Sequence, residues 1–205
     1  MAAGAPLDIE REAWTEGRRV VAGMDEAGRG PLAGPVVTAA VVLSPDTTFE
    51  GATDSKALPA ARREELCARI RREARACSVG AASTREIEHL DILRATSLAM
   101  RRALAGLDAD PELLLVDGKG IPDLPDHRPL VEGDRRSRTV ACASIVAKVI
   151  RDRLMERLSP RYPEYGWASN KGYHTPEHTD ALARLGPTPH HRRTFAPVSQ
   201  FELEL

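Results

Sequence analysis

The chain has 205 residues, of which 42% are hydrophobic and 29% are charged, and its formal net charge is −1. These values are typical of one soluble globular domain with a substantial core, and no apolar run approaches the length of a membrane span. The near-neutral total excludes a strongly basic protein, although it can hide a basic rim around an acidic centre.

The first 18 residues contain acids where a signal peptide requires a basic segment and then an apolar one. We therefore expect a loose leader at 1–18, a single domain at 19–198 and a tail at 199–205, in a cytoplasmic protein. The three cysteines lack CxxC spacing, so they predict neither a disulfide framework nor a zinc site and are expected to be buried thiols.

The stretch from Val20 to Leu43 predicts two strands joined by a glycine-rich bend. The first apolar run ends at Met24 and is followed at once by Asp25 and Glu26. Adjacent acids at the end of a buried strand need a cation or a basic neighbour, because buried like charges are costly. On this stretch alone, a hairpin whose polar tip is solvated is an equally good interpretation.

Helices and a third strand are predicted next. Proline at position 59 begins a helix that extends to about Ala76, and 77–82 reads as a strand. Ser83 and Glu86 match a capping box, and Asp91 is placed to cap a longer helix that ends near Leu107. The core stripe expected on that longer helix consists of Leu93, Met100, Leu104 and Leu107, whereas Arg94 and Thr96 are expected to face a ligand or water.

The second half repeats the pattern of strands that end on acids. A buried strand at 112–117 ends on Asp117, and a short strand at 129–131 leads to Asp134. A helix at 139–158 places Ser144, Lys148 and either Arg151 or Asp152 on one face, with Asp152 as the partner of Lys148 or Arg151. A short helix begins at Thr175–Pro176 and stops at Gly186, and His190 and His191 are expected to be flexible surface residues.

Four acids therefore lie at or just past predicted strand ends: Asp25, Glu26, Asp117 and Asp134. Together they would form an all-oxygen site suited to the hard divalent ions Mg²⁺ or Mn²⁺. Two such ions about 3.5–4 Å apart clamp the attacking and leaving oxygens of an in-line phosphoryl displacement. The sequence predicts a two-metal site of this kind.

Several strings that occur in order resemble bacterial ribonuclease HII: GMDEAGRGPLAGPVV, DSKAL, LLLVDGKG, ACASIVAKVIRD and NKGYHTPEH. The resemblance covers roughly 20–198. It implies an α/β, RNase H-like fold, with a five-stranded mixed sheet flanked by helices and a helical C-terminal extension. It also implies metal-dependent cleavage of the RNA strand of RNA–DNA hybrids, and incision 5′ to single ribonucleotides embedded in duplex DNA.

The resemblance assigns roles residue by residue. The four acids match the metal-binding acids of the family, and Tyr173 matches a tyrosine that stacks on the sugar 3′ of the ribonucleotide. The family's ribose-reading tripeptide is matched by Gly28, Arg29 and Gly30, whose backbone could reach a 2′-hydroxyl. Contacts to the nucleic-acid backbone are implied for Ser55, Lys56, Thr96, Ser144, Lys148 and Lys171.

Two other functions are weighed against this one. A ribonuclease HIII-like or integrase-like nuclease is disfavoured because no further domain is expected in the residues before the first strand. A hybrid-binding module without catalysis is disfavoured by the intact acid set. A monomer is expected. A sliding clamp contacts some relatives through a C-terminal motif, but the Gln200–Phe201 pair of this tail does not complete one, so that partner is unsupported.

Overall fold

The computed structural model describes residues 4–47 and 49–200. The tail from Phe201 onward, which includes half of the Gln200–Phe201 pair, lies outside these residues. None of the described helices has the length and apolar character needed to cross a membrane.

A five-stranded mixed sheet forms the centre of the molecule, in the order β3-β2-β1-β4-β5. The strand β1 pairs antiparallel with β2 and parallel with β4; β3 joins β2 antiparallel, and β5 joins β4 parallel. The strands are β1 Val21–Ala27, β2 Val36–Val42, β3 Ala76–Ala82, β4 Leu113–Asp117 and β5 Arg128–Leu130. The predicted mixed sheet is confirmed.

Helices cover both faces of the sheet, and further helices follow the longest one. They are α1 Asp8–Thr15, α2 Ala60–Glu73, α3 Thr84–Leu90, α4 Ile92–Ala105, α5 Gly133–Arg136, α6 Arg138–Leu158, α7 Trp167–Asn170, α8 Pro176–Leu185 and α9 Ala196–Ser199. Short 3₁₀ turns occupy Ser55–Ala57, Ser159–Arg161 and Pro163–Tyr165. The elements after α6 form the predicted helical extension, which has its own apolar cluster around Trp167.

The central strand is sandwiched between two layers. On one face, residues of β1 and β2 pack against α2 and α6, and on the other they pack against α4. Gly23 allows the start of α6 to approach β1 closely, because a Cβ at this position would overlap the backbone between Thr139 and Val140. This close approach places α6 directly over the acids that follow Gly23.

The capping signals are confirmed. Ser83 and Glu86 form both hydrogen bonds of a capping box, and Asp91 accepts hydrogen bonds from the amides of Leu93 and Arg94. One expected core residue of α4 is wrong: Leu93 is 38% exposed, because the buried face of α4 runs through Ala95, Met100 and Ala103 and Leu93 lies off that face. Cys67 and Cys142 are buried as predicted, whereas Cys77 is half-buried.

The expectation of a loose leader is wrong. Residues 8–15 form α1, and Glu10 is fully buried in contact with the start of α6. Glu10 Oε1 accepts hydrogen bonds from the hydroxyls of Ser137 and Thr139 and from the amide of Thr139, at 2.7–2.9 Å. A carboxylate at a helix N-terminus stabilises the helix, so α1 is part of the fold.

Candidate functional site

A pocket of about 180 Å³ opens where β1, β4 and α6 meet. It gathers twelve of the fourteen residues that the sequence nominated, together with Ala27. These twelve are Asp25, Glu26, Gly28, Arg29, Gly30, Ser55, Lys56, Asp117, Asp134, Ser144, Lys148 and Tyr173. Residues separated by more than a hundred positions in the chain therefore share one cavity. Below, the acidic pocket means this cavity.

Asp25 and Glu26 lie within β1 and not beyond its end. The ladder with β2 continues through Glu26↔Thr38 to Ala27↔Val37, so the prediction that the strand stops at Met24 is wrong. On the other side, Met24 pairs with Val116 in the parallel ladder with β4. Asp25 and Asp117 are the next residues of the two strands, which brings their side chains to the same edge of the sheet.

The fourth acid, Asp134, lies in the helical turn α5. This turn is tied to β4, because the amide of Gly133 donates to Asp117 Oδ1 at 2.7 Å. Asp134 thus lies just past the end of β5, as predicted, within the short turn α5. The tie holds Asp134 at the mouth of the pocket.

Negative charge is concentrated in this pocket. Burial, together with the charges of Glu26 and Asp117, raises the pKa of Asp25 well above its usual value. Burial also raises the pKa of Glu26, although Arg29 opposes this rise from 3.3 Å away. The pKa of Asp134 is raised by burial and by Asp54 and Asp117. Crowded carboxylates with raised pKa values are a signature of functional sites.

The donor set fits hard divalent cations. All four acids offer oxygen, and Glu26 Oε2 is buried with no hydrogen-bond partner among the described residues. Across 4–47 and 49–200, no three Asp, Glu, His or Cys side chains are already gathered so as to hold an ion. Instead, Asp25 Oδ1 accepts from the Glu26 amide at 2.7 Å, and Asp117 accepts from Gly133.

Hydroxyl and ammonium groups line the α6 side of the pocket. The hydroxyls of Ser55 and Ser144 lie 3.0 Å apart, and both residues are buried. Lys148 Nζ lies 2.7 Å from Asp152 Oδ1, which confirms the predicted partner of Asp152. This ion pair holds Asp152 away from the metal-binding set and leaves Lys148 beside the acids.

Tyr173 presents its ring to solvent at the pocket edge. The residue is 40% exposed, so it is not a core tyrosine. Lys148 Nζ and the Arg151 guanidinium each lie 5.8 Å from the ring centroid. An exposed ring between cationic groups is suited to stacking on a sugar or a base.

Two nominated residues are not brought to the pocket. Thr96 is fully buried on α4 and donates to the carbonyl of Ile92, so the expected contact with a nucleic-acid backbone is wrong. Lys171 lies apart from the pocket lining, and its ammonium pairs with Glu156 at 2.8 Å and donates to the carbonyl of Ala168. Its local sequence gives no sign of this intramolecular pairing.

Sequence reasoning missed two buried arginines beneath the glycine-rich loop. Arg151 donates to the carbonyls of Ala33, Pro35 and Lys171, each at 3.0 Å. Arg192 donates to the carbonyls of Gly28, Arg29 and Gly34. Neither has a local signal, because an arginine that binds distant carbonyls looks in sequence like any surface arginine.

The expectation of flexible surface histidines is also wrong for His191, which is fully buried. His191 lies against the fully buried His178, with their Nε2 atoms 2.9 Å apart. His190 is half-buried and contacts the ring of Tyr162 edge-on.

Comparison with known proteins agrees with this geometry. A family model described as ribonuclease HII matches residues 22–198. A ribonuclease HII of Cereibacter sphaeroides is 53% identical over 92% of this chain and 90% of its own, and one of Syntrophotalea carbinolica is 50% identical over 96% and 95%. The crystal structure of ribonuclease H2 from Pyrococcus horikoshii superimposes with a TM-score of 0.74 at 28% identity, covering 90% of this chain and 98% of that one.

Proposed function

The chain belongs to the ribonuclease HII family and is a ribonuclease H endonuclease, and from this premise we propose that it also incises duplex DNA 5′ to single embedded ribonucleotides. The observation that carries the proposal is the lining of the acidic pocket. Four carboxylates, the Gly28–Gly30 tripeptide and the exposed ring of Tyr173 all face one cavity.

Asp25, Glu26, Asp117 and Asp134 are the proposed ligands of two divalent ions, Mg²⁺ or Mn²⁺. When bound, such ions supply activation of the attacking water and stabilisation of the leaving 3′-oxygen, which yields 5′-phosphate and 3′-hydroxyl ends. The ligands must be ionised to bind. Because burial raises the pKa values of Asp25 and Glu26, ion binding and proton release are coupled at these two residues.

The remaining residues of the pocket bind and orient the substrate. Phosphate contacts, which position a duplex without reading its sequence, are proposed for four residues that line the pocket: Ser55, Lys56, Ser144 and Lys148. The backbone of 28–30 is open to a 2′-hydroxyl, since no atom of the described residues lies within 4 Å of the position of a Cβ on Gly30. The ring of Tyr173 is proposed to stack on the sugar 3′ of the ribonucleotide.

The direct test is cleavage of a labelled DNA duplex that contains one ribonucleotide, with Mg²⁺, Mn²⁺ or EDTA. An all-deoxy duplex and a continuous RNA–DNA hybrid are the controls. We expect a metal-dependent cut immediately 5′ of the ribonucleotide and none in the all-deoxy duplex. If only the long hybrid is cleaved, the proposed activity at single ribonucleotides is wrong. Binding without any cleavage would identify a non-catalytic module.

The role of Tyr173 is tested by Tyr173→Ala, with Tyr173→Phe as the matched control that retains the ring. Loss of stacking is expected to lower incision at a single ribonucleotide by about tenfold or more, whereas Tyr173→Phe keeps most of the activity. Duplex affinity is measured in parallel by fluorescence anisotropy. Equal losses of incision and of binding to all-deoxy duplex in Tyr173→Ala would show that the tyrosine is only structural.

A further inference from the structure

The Gly28–Gly30 tripeptide is held from inside the protein by Arg192, which is fully buried. Its Nη1 donates to the carbonyl of Arg29 at 2.8 Å, and its Nη2 donates to the carbonyl of Gly28 at 2.5 Å. Both Nε and Nη2 donate to the carbonyl of Gly34, at 3.0 and 2.9 Å. The planar guanidinium fork thus fixes three carbonyls of one loop at once.

The direction of these carbonyls determines the direction of two amides. The described peptide bonds are all trans, so a carbonyl and the N–H that follows it point in opposite directions. The carbonyls of Gly28 and Arg29 point inward to Arg192. The N–H groups of Arg29 and Gly30 therefore point outward, on the side where these residues line the acidic pocket.

These two amides are free to bind a ligand. Neither donates to an acceptor in the parts of the chain that the structure covers. Two unpaired N–H groups on one glycine-containing turn make an anion- or hydroxyl-binding surface. The buried cation behind them strengthens it, since burial lowers the pKa of Arg192 only to about 9 and the group stays charged at neutral pH.

We propose that Arg192 is a positioning residue for ribose recognition: it orients the Arg29 and Gly30 amides so that they bind the 2′-oxygen of the substrate. The inference rests on the proposed function and adds to it a residue that does not touch the substrate. Lysine cannot replace this arginine, because an ammonium has no fork with which to hold carbonyls in fixed directions.

The test compares Arg192→Lys with Arg138→Lys. Arg138 also donates to two backbone carbonyls, those of Ala5 and Phe49, but these lie outside the pocket. The readout is the ribose preference, defined as the Kd of an all-deoxy duplex divided by the Kd of the same duplex with one ribonucleotide, measured in EDTA. We expect Arg192→Lys to reduce this ratio about tenfold, or to one if the wild-type ratio is smaller.

Two controls are expected to stay near their wild-type values. The Kd for the all-deoxy duplex should change less than twofold in Arg192→Lys, and Arg138→Lys should keep the wild-type ribose preference. A folded Arg192→Lys protein that keeps the wild-type ratio overturns the proposal, as does an equal loss in both variants. A wild-type ratio of one likewise overturns the proposal, whereas the proposed function fails only if the cleavage assay shows no cut 5′ of the ribonucleotide, so the two failures are distinguishable.

A measurement on the wild-type protein covers the case in which Arg192→Lys does not fold. In ¹⁵N–¹H spectra, the amide signals of Arg29 and Gly30 and the Nε–H signal of Arg192 are followed during titration with each duplex. We expect the ribonucleotide duplex to shift the two amides and to slow solvent exchange of the Arg192 Nε–H, relative to the all-deoxy duplex. Identical responses to the two duplexes overturn the proposal.

Discussion

Two buried polar clusters in this protein differ in how completely their hydrogen bonds are satisfied. In the acidic pocket, Asp25 and Glu26 are adjacent like charges, and Glu26 Oε2 has no partner among the described residues. In the histidine cluster, formed by Trp167, His178, Thr188 and His191, the hydrogen bonds form one continuous chain. The complete cluster stabilises the fold, whereas the acidic pocket, with its crowded carboxylates of raised pKa, is suited to a cation.

The chain of hydrogen bonds in the histidine cluster is directional. The Thr188 amide donates to His191 Nδ1 at 2.9 Å, so the neutral His191 ring carries its proton on Nε2, facing His178 Nε2. Trp167 Nε1 also donates to His178 Nε2, at 3.2 Å. His178 therefore carries its proton on Nδ1 and donates to the carbonyl of Tyr173 at 2.9 Å. All hydrogen bonds of the cluster are satisfied with both histidines neutral, and the last one is made to the carbonyl of Tyr173, which lines the acidic pocket.

The largest expected effect is that of Asp25→Asn, which breaks the acidic pocket. Losing one proposed metal ligand should lower kcat/KM by about a hundredfold or more. The metal-free protein should become more stable at neutral pH, with Tm rising by a few degrees, because the buried carboxylate is replaced by a neutral amide. Cleavage assays and melting in EDTA measure both. The control is Asp46→Asn, a substitution at an exposed residue. Near-normal activity of Asp25→Asn would show that Asp25 is not a metal ligand.

His178→Leu breaks the complete cluster. It leaves Trp167 Nε1 and His191 Nε2 buried without their acceptor, so we expect the free energy of unfolding to fall by about 2–3 kcal/mol. Urea denaturation measures the change. The exposed His89→Leu is the matched control and should stay within about 0.5 kcal/mol of wild type. Equal stabilities of the two variants would contradict the structural role of the cluster.

The pH dependence of stability should have opposite signs in the two clusters. The raised pKa of Asp25 means that the folded protein keeps a proton that the unfolded chain loses above pH 3.8, so stability falls as pH rises. Burial and the neighbouring His178 lower the pKa of His191 to about 3. Below pH 6.5 the unfolded chain therefore binds a proton at His191 that the folded protein does not bind, and stability falls as pH falls.

Urea unfolding in EDTA between pH 3 and pH 8 separates the two contributions. Asp25→Asn should reduce the loss of stability towards high pH, and replacing EDTA with Mg²⁺ should reduce it in the wild-type protein. His191→Gln, which retains a donor near the Nε2 position, should reduce the loss towards low pH. If Asp25→Asn leaves the stability loss at high pH unchanged, the pH dependence assigned to the acidic pocket is wrong. The same holds for the histidine cluster if His191→Gln leaves the loss at low pH unchanged.

The smallest expected effect comes from outside both clusters. Ser83→Ala removes the capping box of α3 and should cost about 1 kcal/mol of stability with no change in cleavage. Ser83→Thr, which keeps the hydroxyl, is the control. Thermal melts and cleavage of a single-ribonucleotide duplex measure the two effects. A loss of activity in the folded Ser83→Ala protein would show that α3 influences the pocket.

The sequence by itself determined the elements that depend on neighbouring residues. Apolar runs located the strands of the sheet, and Ser83, Asp91 and Thr175 marked helix starts, because a cap is formed within three residues of itself. It also nominated Asp25 and Asp117, since an acid that interrupts or ends an apolar run is visible locally. These signals were sufficient for most strands and helix starts and for the acids, whereas the other residues of the pocket were nominated through the resemblance to ribonuclease HII.

Only the tertiary structure decided which polar residues are buried and what they bind. Glu10 reaches Thr139 across 129 positions, and Arg192 reaches Gly28 across 164. Thr96 and His191 are polar residues that the fold encloses, although their own segments look solvent-facing. Burial depends on the surfaces that other segments bring to a residue, and a hydrogen bond to a backbone carbonyl requires no particular partner side chain. Neither leaves a trace in the local sequence.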